Sequence, residues 1–278
     1  MVTSVNTNVN AMAAIQTLSD IGNQMTQTQG AIESGLKVNS AADNPAVFTI
    51  AQGLRANVNA LTAVSDNLST GIATLQGQTA GATSISNTLN TLKTLVTQSE
   101  GQSGAALAAT QAAVTNALTN IDSFAKATTI NGVNLLDTTA AQTSADFLSN
   151  VDGSATTVTI AAFSDSTALG LAKGTFDTGT VDGTQTGTTN AITALDNAIK
   201  QIGVTLTQLG AGTTQLQGLK SFTDQLSSSN TTSLGAMVDA NLSEESAKLS
   251  SLQTKQSLAI QSLSVANQGP GALLQLFR

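Results

Sequence analysis

A chain with no His and no Cys lacks the side chains that do most nucleophilic and proton-transfer chemistry near neutral pH. No Ser-His-Asp or Cys-His nucleophile can be assembled, no imidazole base is available, and zinc sites of the His/Cys type are excluded. Oxygen-ligand metals stay open. Asp152-Gly153 and Asp182-Gly183 are the places to look for calcium. Neither has the spacing or the terminal Glu of an EF-hand loop, so both read as turns. The net charge is −7 and the only arginines are Arg55 and Arg278. Phosphate binding needs clustered cations, so nucleic acid is not an expected partner. No catalytic residue, cofactor or metal is expected, and the chain does not read as an enzyme.

What the chain has in quantity is spacing. Val47, Leu54, Leu61, Leu68, Leu75, Ala82, Leu89 and Val96 stand seven residues apart without a miss. Ile50, Val64, Ile85 and Leu92 fill about half of the companion seam. A straight helix drifts off a seven-residue repeat, so this ladder predicts one rod coiled against other helices. At about 1.5 Å per residue, the step from Val47 to Val96 spans roughly 75 Å, which predicts an elongated element. Asp43-Asn44-Pro45 supplies its start, a capping side chain followed by Pro at the first helical position, and Gly101 to Gly104 breaks it. Gly71, Gly77 and Gly81 inside the rod each cost about 1 kcal/mol relative to Ala, which close approach of a neighbouring helix could offset.

Both ends of the chain are helical in pattern and poor in charge. Val5, Val9, Met12, Ile15, Leu18, Ile21, Met25, Ile32 and Leu36 follow spacings of three and four and predict one stripe. Its other face is amides and hydroxyls, with Asp20 the only charge before Glu33. A helix so lacking in supporting ion pairs is marginal alone and is expected to order with a partner. Periodicity returns at Ile192, Leu195, Ile199, Ile202, Leu206, Leu209, Leu216, Leu219, Phe222 and Leu226. It continues through Leu234, Val238, Leu242, Leu249, Leu252, Ala259, Leu263 and Ala266.

Between the halves, Leu107, Val114, Leu118 and Ile121 mark a further amphipathic helix, and Ile130-Asn131-Gly132-Val133 a two-residue hairpin. Residues 141–189 differ in kind. Twelve of these 49 are Thr, which predicts a small β-rich insert or surface loop with few apolar anchors.

No stretch approaches the length of a membrane-spanning helix, so membrane insertion is not expected. The first ten residues lack the positive and apolar regions of a cleavable secretory signal, and none is expected. Pairing the two ends would hide both stripes and leave neutral, amide-rich faces outward. Charge depletion of that kind marks surfaces that meet protein. The simplest supply of matching partners is further copies of the chain in a head-to-tail contact that does not close. The pattern points to a filament subunit with buried ends and an exposed middle.

Specific words support this. Ser34-Gly35-Leu36-Lys37-Val38-Asn39-Ser40-Ala41-Ala42-Asp43-Asn44 resembles the SGLRINSAKDD segment of bacterial flagellins. Asn67 to Ala82 is similar to the flagellin stretch NDGISxxQTxEGA: Gly71-Ile72, Gln78-Thr79 and Gly81-Ala82 match, while Thr70 and Ala80 depart. Ile130-Asn131-Gly132 with Leu135 resembles FNGxxLL. Ala266-Asn267-Gln268-Gly269-Pro270 with Leu273, Leu276 and Phe277 resembles the terminus ANQxPQxxLxLL. The words cover about residues 1–140 and 190–278, in family order.

The resemblance implies a mainly α fold: a long coiled-coil bundle with discontinuous terminal helices, a β-hairpin and a small β-rich insert. It implies an inner-tube helix and spoke over 1–44, half of the bundle over 45–140 and a variable exposed insert over 141–189. The second bundle half would cover 190–236 and an inner-tube helix 237–278. Val5, Val9, Met12, Ile15, Leu249, Leu252, Leu263, Leu273, Leu276 and Phe277 would form the inner-tube interface. The implied function is a structural, extracellular subunit of the swimming filament, exported unfolded through a type III export gate with an export chaperone. A cap protein would guide its insertion at the distal tip, and a hook-associated junction protein would seat the filament base. A hook-filament junction protein and a coiled-coil signalling or scaffold protein are the alternatives. Asn67 to Ala82 favours the filament subunit over the first, and missing membrane spans disfavour the second. Some flagellins carry a metalloprotease insert, which needs an HExxH motif that a chain without His cannot supply. Flagellins recognised by the mammalian Toll-like flagellin receptor present a pattern resembling Leu-Gln-Arg-x-Arg-Glu-Leu. The equivalent here is Leu89-Asn90-Thr91-Leu92-Lys93-Thr94-Leu95, with Thr91 in place of an Arg and Thr94 in place of the Glu.

Overall fold

A computed structural model describes residues 8–137, 144–159, 166–173, 176 and 180–276, with the backbone alone described for 269–276. Its elements are α1 (Val9–Ser34), α2 (Pro45–Gln98), α3 (Gly104–Ala127), β1 (Ser144–Leu148), β2 (Ala155–Thr159), α4 (Gln185–Val238) and α5 (Leu242–Leu276). No described helix is long and apolar enough to cross a membrane. The chain divides into two compact units, one from residues 1–58 and 228–278, the other from 59–227. Both boundaries fall inside helices, α2 and α4, rather than in loops.

In the first unit α1 packs against α5. Asn8 caps α1, its Oδ1 accepting from the Ala11 N–H at 3.1 Å, and its Nδ2 donates to the Ala266 carbonyl at 2.7 Å. Leu36 pairs antiparallel with Asp239 at the other end, so the two helices run antiparallel. On α1, Ala11, Ala14, Leu18, Ile21, Met25, Thr28 and Ile32 lose solvent in a three-four ladder, with Gly22 and Ala31 partly covered beside it. On α5 they are Glu245, Leu249, Leu252, Gln256, Ala259, Leu263 and Ala266, the same ladder in reverse. Here the single-stripe expectation is corrected. Val9, Met12 and Ile15 lie off the seam and stay 68%, 61% and 55% exposed.

The connecting segment is held by short bonds. Gly35 ends α1 with φ +71°, a left-handed conformation that costs glycine least. The Lys37 N–H donates to the Val238 carbonyl, and the Ala240 N–H to the Gly35 carbonyl, both at 2.8 Å. Lys37 Nζ reaches the Ala236 carbonyl at 2.9 Å, near the end of α4. Asp43 accepts from the N–H groups of Ser40 and Asn39 and from the Ser40 hydroxyl. Asn44 Oδ1 accepts from the Val47 N–H at 3.1 Å and caps α2, with Pro45 at its first position.

The second unit is built on two matched ladders. Leu61, Leu68, Leu75, Ala82, Leu89 and Val96 of α2 are buried, as are Leu195, Ile202, Leu209 and Leu216 of α4. Ser65 donates to Asp224 at 2.7 Å and Lys93 to Asp196 at 2.6 Å, which fixes one antiparallel register along their length. On α4 the seventh-residue rung after Leu216 is Thr223, which is buried, while Phe222 is 63% exposed. Val64, Ile85 and Leu92 of the companion seam are buried. Ile50 is not: its side chain is mostly exposed, which corrects its place in the core.

The turn residues behave as their types require. Ile130 and Val133 exchange both backbone bonds, at 3.0 and 2.9 Å. Asn131 and Gly132 have φ +51° and +78°, the two positive values of a type I′ hairpin. Asp152 accepts from the Ser154 N–H in the turn that joins antiparallel β1 and β2. Asp182 accepts from the N–H and hydroxyl of Thr184, whose Oγ1 caps α4 through the Gly187 N–H at 3.0 Å. Hydrogen bonds to Thr184 hold the Asp182 carboxyl below the usual range.

The insert departs most from expectation. The sequence predicts a small β-rich insert or surface loop here with few apolar anchors; β1 and β2 supply the β element, but the shortage of anchors is corrected. Instead Ala145, Phe147, Val158, Leu169, Leu171, Phe176 and Val181 are buried in the same cluster as Leu68, Leu75 and Leu89. The glycines of α2 explain how β1 and the hairpin fit. A Cβ at Gly71 would stand 2.6 Å from Phe147 Cδ1, one at Gly77 would collide with Ile130, and one at Gly81 with Thr128. The close neighbours are therefore a strand and a turn, not a helix.

Candidate functional site

The described residues hold no cluster of three or more metal-ligating side chains. The rungs of the α2 ladder differ along its length. Leu61, Leu68, Leu75, Leu89 and Val96 are buried, whereas Val47 and Leu54 are half-buried. Val47 packs, with Phe48, Leu36, Leu234 and Met237, around a small cluster of Val38, Ala51 and Val238 in the first unit.

The terminal helices carry the unpartnered apolar surface. Val9, Met12 and Ile15 of α1 are more than half exposed, and so are Leu242, Leu258, Ile260 and Val265 of α5. Single exposed aliphatic residues are ordinary, but seven large ones on two helices that already share a filled seam leave unpartnered apolar surface outside it. Of the residues expected at an inner-tube interface, Leu249, Leu252 and Leu263 lie in the α1–α5 seam. Val5 and Phe277 fall outside the described residues, as do the side chains of Leu273 and Leu276.

At the receptor-equivalent run, Leu89 is buried and Lys93 pairs with Asp196 at 2.6 Å. Thr91 and Thr94 are exposed, their hydroxyls donating back to the carbonyls of Asn87 and Asn90. Leu89 therefore serves the core rather than a free surface.

Residues 5–141 match the bacterial flagellin N-terminal helical region, and residues 192–277 match the C-terminal helical region. The chain belongs to the bacterial flagellins. A flagellin of Caulobacter vibrioides, FljM, is 35% identical, the similarity covering 99% of this chain and 98% of that one. Flagellin of Brucella melitensis is 30% identical, with 99% of each chain covered. A crystal structure of Bacillus cereus flagellin matches over 56% of this chain and 88% of that one, at 25% identity and a TM-score of 0.46. As a flagellin, the chain is a structural subunit that polymerises into the extracellular filament of the bacterial flagellum, and the hook-associated alternative is not favoured. That fits a molecule whose distinctive chemistry is surface apolarity with very little charge.

Some residues of this flagellin that matter were not visible as core positions. Gln78 is fully buried, and its carboxamide holds the hairpin backbone at Val133 and Leu135. Ala11, Ala14 and Thr28 belong to the α1 seam but are too small or too polar to register in a count of large apolar residues.

Proposed function

We propose that α1 and α5 of neighbouring copies line the inner tube of the filament through their exposed apolar residues, with α2, α3 and α4 forming the surrounding bundle. In this reading residues 1–44 and 237–278 are the tube helices with their spoke, and the helical runs over 45–140 and 190–236 form the bundle. The observation that carries it is the exposure of Val9, Met12 and Ile15 beside a seam that is already filled. Burying such side chains is worth about 1.5–3 kcal/mol each, a force available only when another molecule covers them. The test is the variant M12S/I15S. Its monomer is expected to keep its helical content and melting temperature, because neither residue supports the intramolecular seam, while polymerisation onto seeds is lost. Normal polymerisation would refute the reading.

The same reading extends to delivery. Copies pass unfolded through the type III export gate with an export chaperone, enter beneath a cap protein at the distal tip, and rest at the base on hook-associated junction proteins. The complete lack of Cys supports threading, since no disulfide can form to obstruct it.

This flagellin is also a weak agonist of the Toll-like flagellin receptor. Exposed Thr91 and Thr94 present short hydroxyls, themselves turned to the backbone, where that receptor's pattern has an Arg and a Glu. Loss of two such contacts lowers affinity at least about 30-fold if their energies add even in part. Reporter cells exposed to clean monomer are expected to respond weakly and to recover with T91R/T94E. A full response to the unaltered chain would refute this.

A further inference from the structure

Asp20 is the one charge between Asn8 and Ile32, and Lys255 is the one charge between Leu249 and Leu276. The two stand level across the antiparallel α1–α5 pair, as the contacts of Asn8 with Ala266 and of Leu36 with Asp239 require. They line a groove of about 480 Å³ together with Thr17, Gln24, Leu258 and Ser262. Leu258 within it is 56% exposed. Yet Asp20 and Lys255 do not pair with each other. Asp20 accepts from Gln16 Nε2 at 3.2 Å, and the ion pairs among the described residues are Lys93–Asp196, Lys220–Asp224 and Lys248–Glu245.

We infer that this groove receives a second copy of the chain, and that Asp20 of one copy meets Lys255 of the next to set the register between them. The inference rests on the reading above, in which the terminal helices of neighbouring copies meet. Apolar contacts slide easily, because Val, Leu and Ile pack acceptably in several offsets. A charge enclosed by a neighbour does not, since it must find its opposite or lose its hydration uncompensated. Along these stretches of α1 and α5, another copy can offer Asp20 no cation but Lys255, and can offer Lys255 no anion but Asp20. The two charges are complementary, and each occurs once along its stretch. A single polar position that fixes the register of a coiled coil is a known device.

The experiment uses the full chain and reads the critical concentration for growth from seeds. D20K and K255D, each alone, are expected to raise it at least about tenfold, because one contact then faces like charges. An equimolar mixture of the two is the deciding arm. The new ammonium of one variant meets the new carboxylate of the other, so co-assembly is expected to return towards the unaltered value. Recovery in the double variant D20K/K255D but not in the mixture would place the pair within one chain and overturn the inference. So would an unchanged critical concentration in the single variants, or recovery in neither arm. The underlying reading fails separately, by normal polymerisation of M12S/I15S.

Discussion

The Gln78 carboxamide accepts the Leu135 N–H on Oε1 at 3.0 Å and, through Nε2, donates to the Val133 carbonyl at 3.2 Å. One buried side chain of α2 thus supplies the donor and the acceptor that the hairpin backbone needs where it leaves water. Q78L keeps an apolar chain of similar length but strands both backbone groups. Unit stability is expected to fall by about 1–3 kcal/mol for each unsatisfied group, partly relieved if water enters. Chemical denaturation of the monomer measures it. A change within about 0.5 kcal/mol would mean that the hairpin does not depend on this clamp.

Gly81 and Gly218 share a residue type but not an environment. A Cβ at Gly81 collides with Thr128, which cannot turn aside cheaply because its hydroxyl is bonded to the Ala125 carbonyl and the Asn134 side chain. At Gly218 nothing lies within 4 Å of the added atom. G218A is expected to stabilise the monomer by about 0.5–1 kcal/mol through helix propensity. G81A is expected to destabilise it by about 1–3 kcal/mol through overpacking. Melting curves of the two variants with the same sign would contradict this contrast.

The difference between what the sequence discloses and what it hides follows from how cores are recognised. The ladder from Leu61 to Val96 is legible because large aliphatic residues repeat at one period and nothing interrupts them. Thr223 occupies the same kind of rung on α4 but is polar, so neighbouring Phe222 draws attention and turns out to be exposed. On α1, Val9, Met12 and Ile15 share spacings of three with the true seam, and the small seam residues Ala11 and Ala14 carry no hydropathy signal that could separate the faces. In 141–189 the anchors Phe147, Val158, Leu171 and Phe176 follow no helical period and are surrounded by Thr, Gly and Ser. Their burial depends on long-range packing that no local pattern announces.

Deleting residues 150–183 removes Val158, Leu169, Leu171, Phe176 and Val181 from the core. The variant monomer is therefore expected to melt well below the unaltered chain, with a loss of several kcal/mol, since single large apolar truncations already cost about 2–5 kcal/mol. Calorimetry checks it. An unchanged transition would return the segment to the status of a surface loop.

Asp224 gives a prediction in pH. The hydrogen bond from Lys220, then that from Ser65, holds its carboxyl below its ordinary value of 3.8. A group depressed in the folded state stabilises above its unfolded pKa and loses that contribution as pH falls through the folded value. The melting temperature of the unaltered chain is expected to exceed that of D224N by a constant, small margin from about pH 7 to about pH 5. The margin is small because both partners are partly in water. It should close below about pH 4. A margin that widens as pH falls would have the wrong sign.

The central claim is that the terminal helices complete their burial only between copies, and hydrogen exchange compared in monomer and filament tests it most directly. Alone, α1 and α5 share one seam of small and mixed residues and few supporting charges, so local opening should be frequent. Amides from Val9 to Met25 and from Leu249 to Val265 are expected to exchange readily in dilute monomer, while those near Leu68 and Leu209 are protected. In filaments the terminal stretches should become as slow as the core. Strong protection of Val9 to Met25 in the dilute monomer, unchanged on polymerisation, would contradict the account.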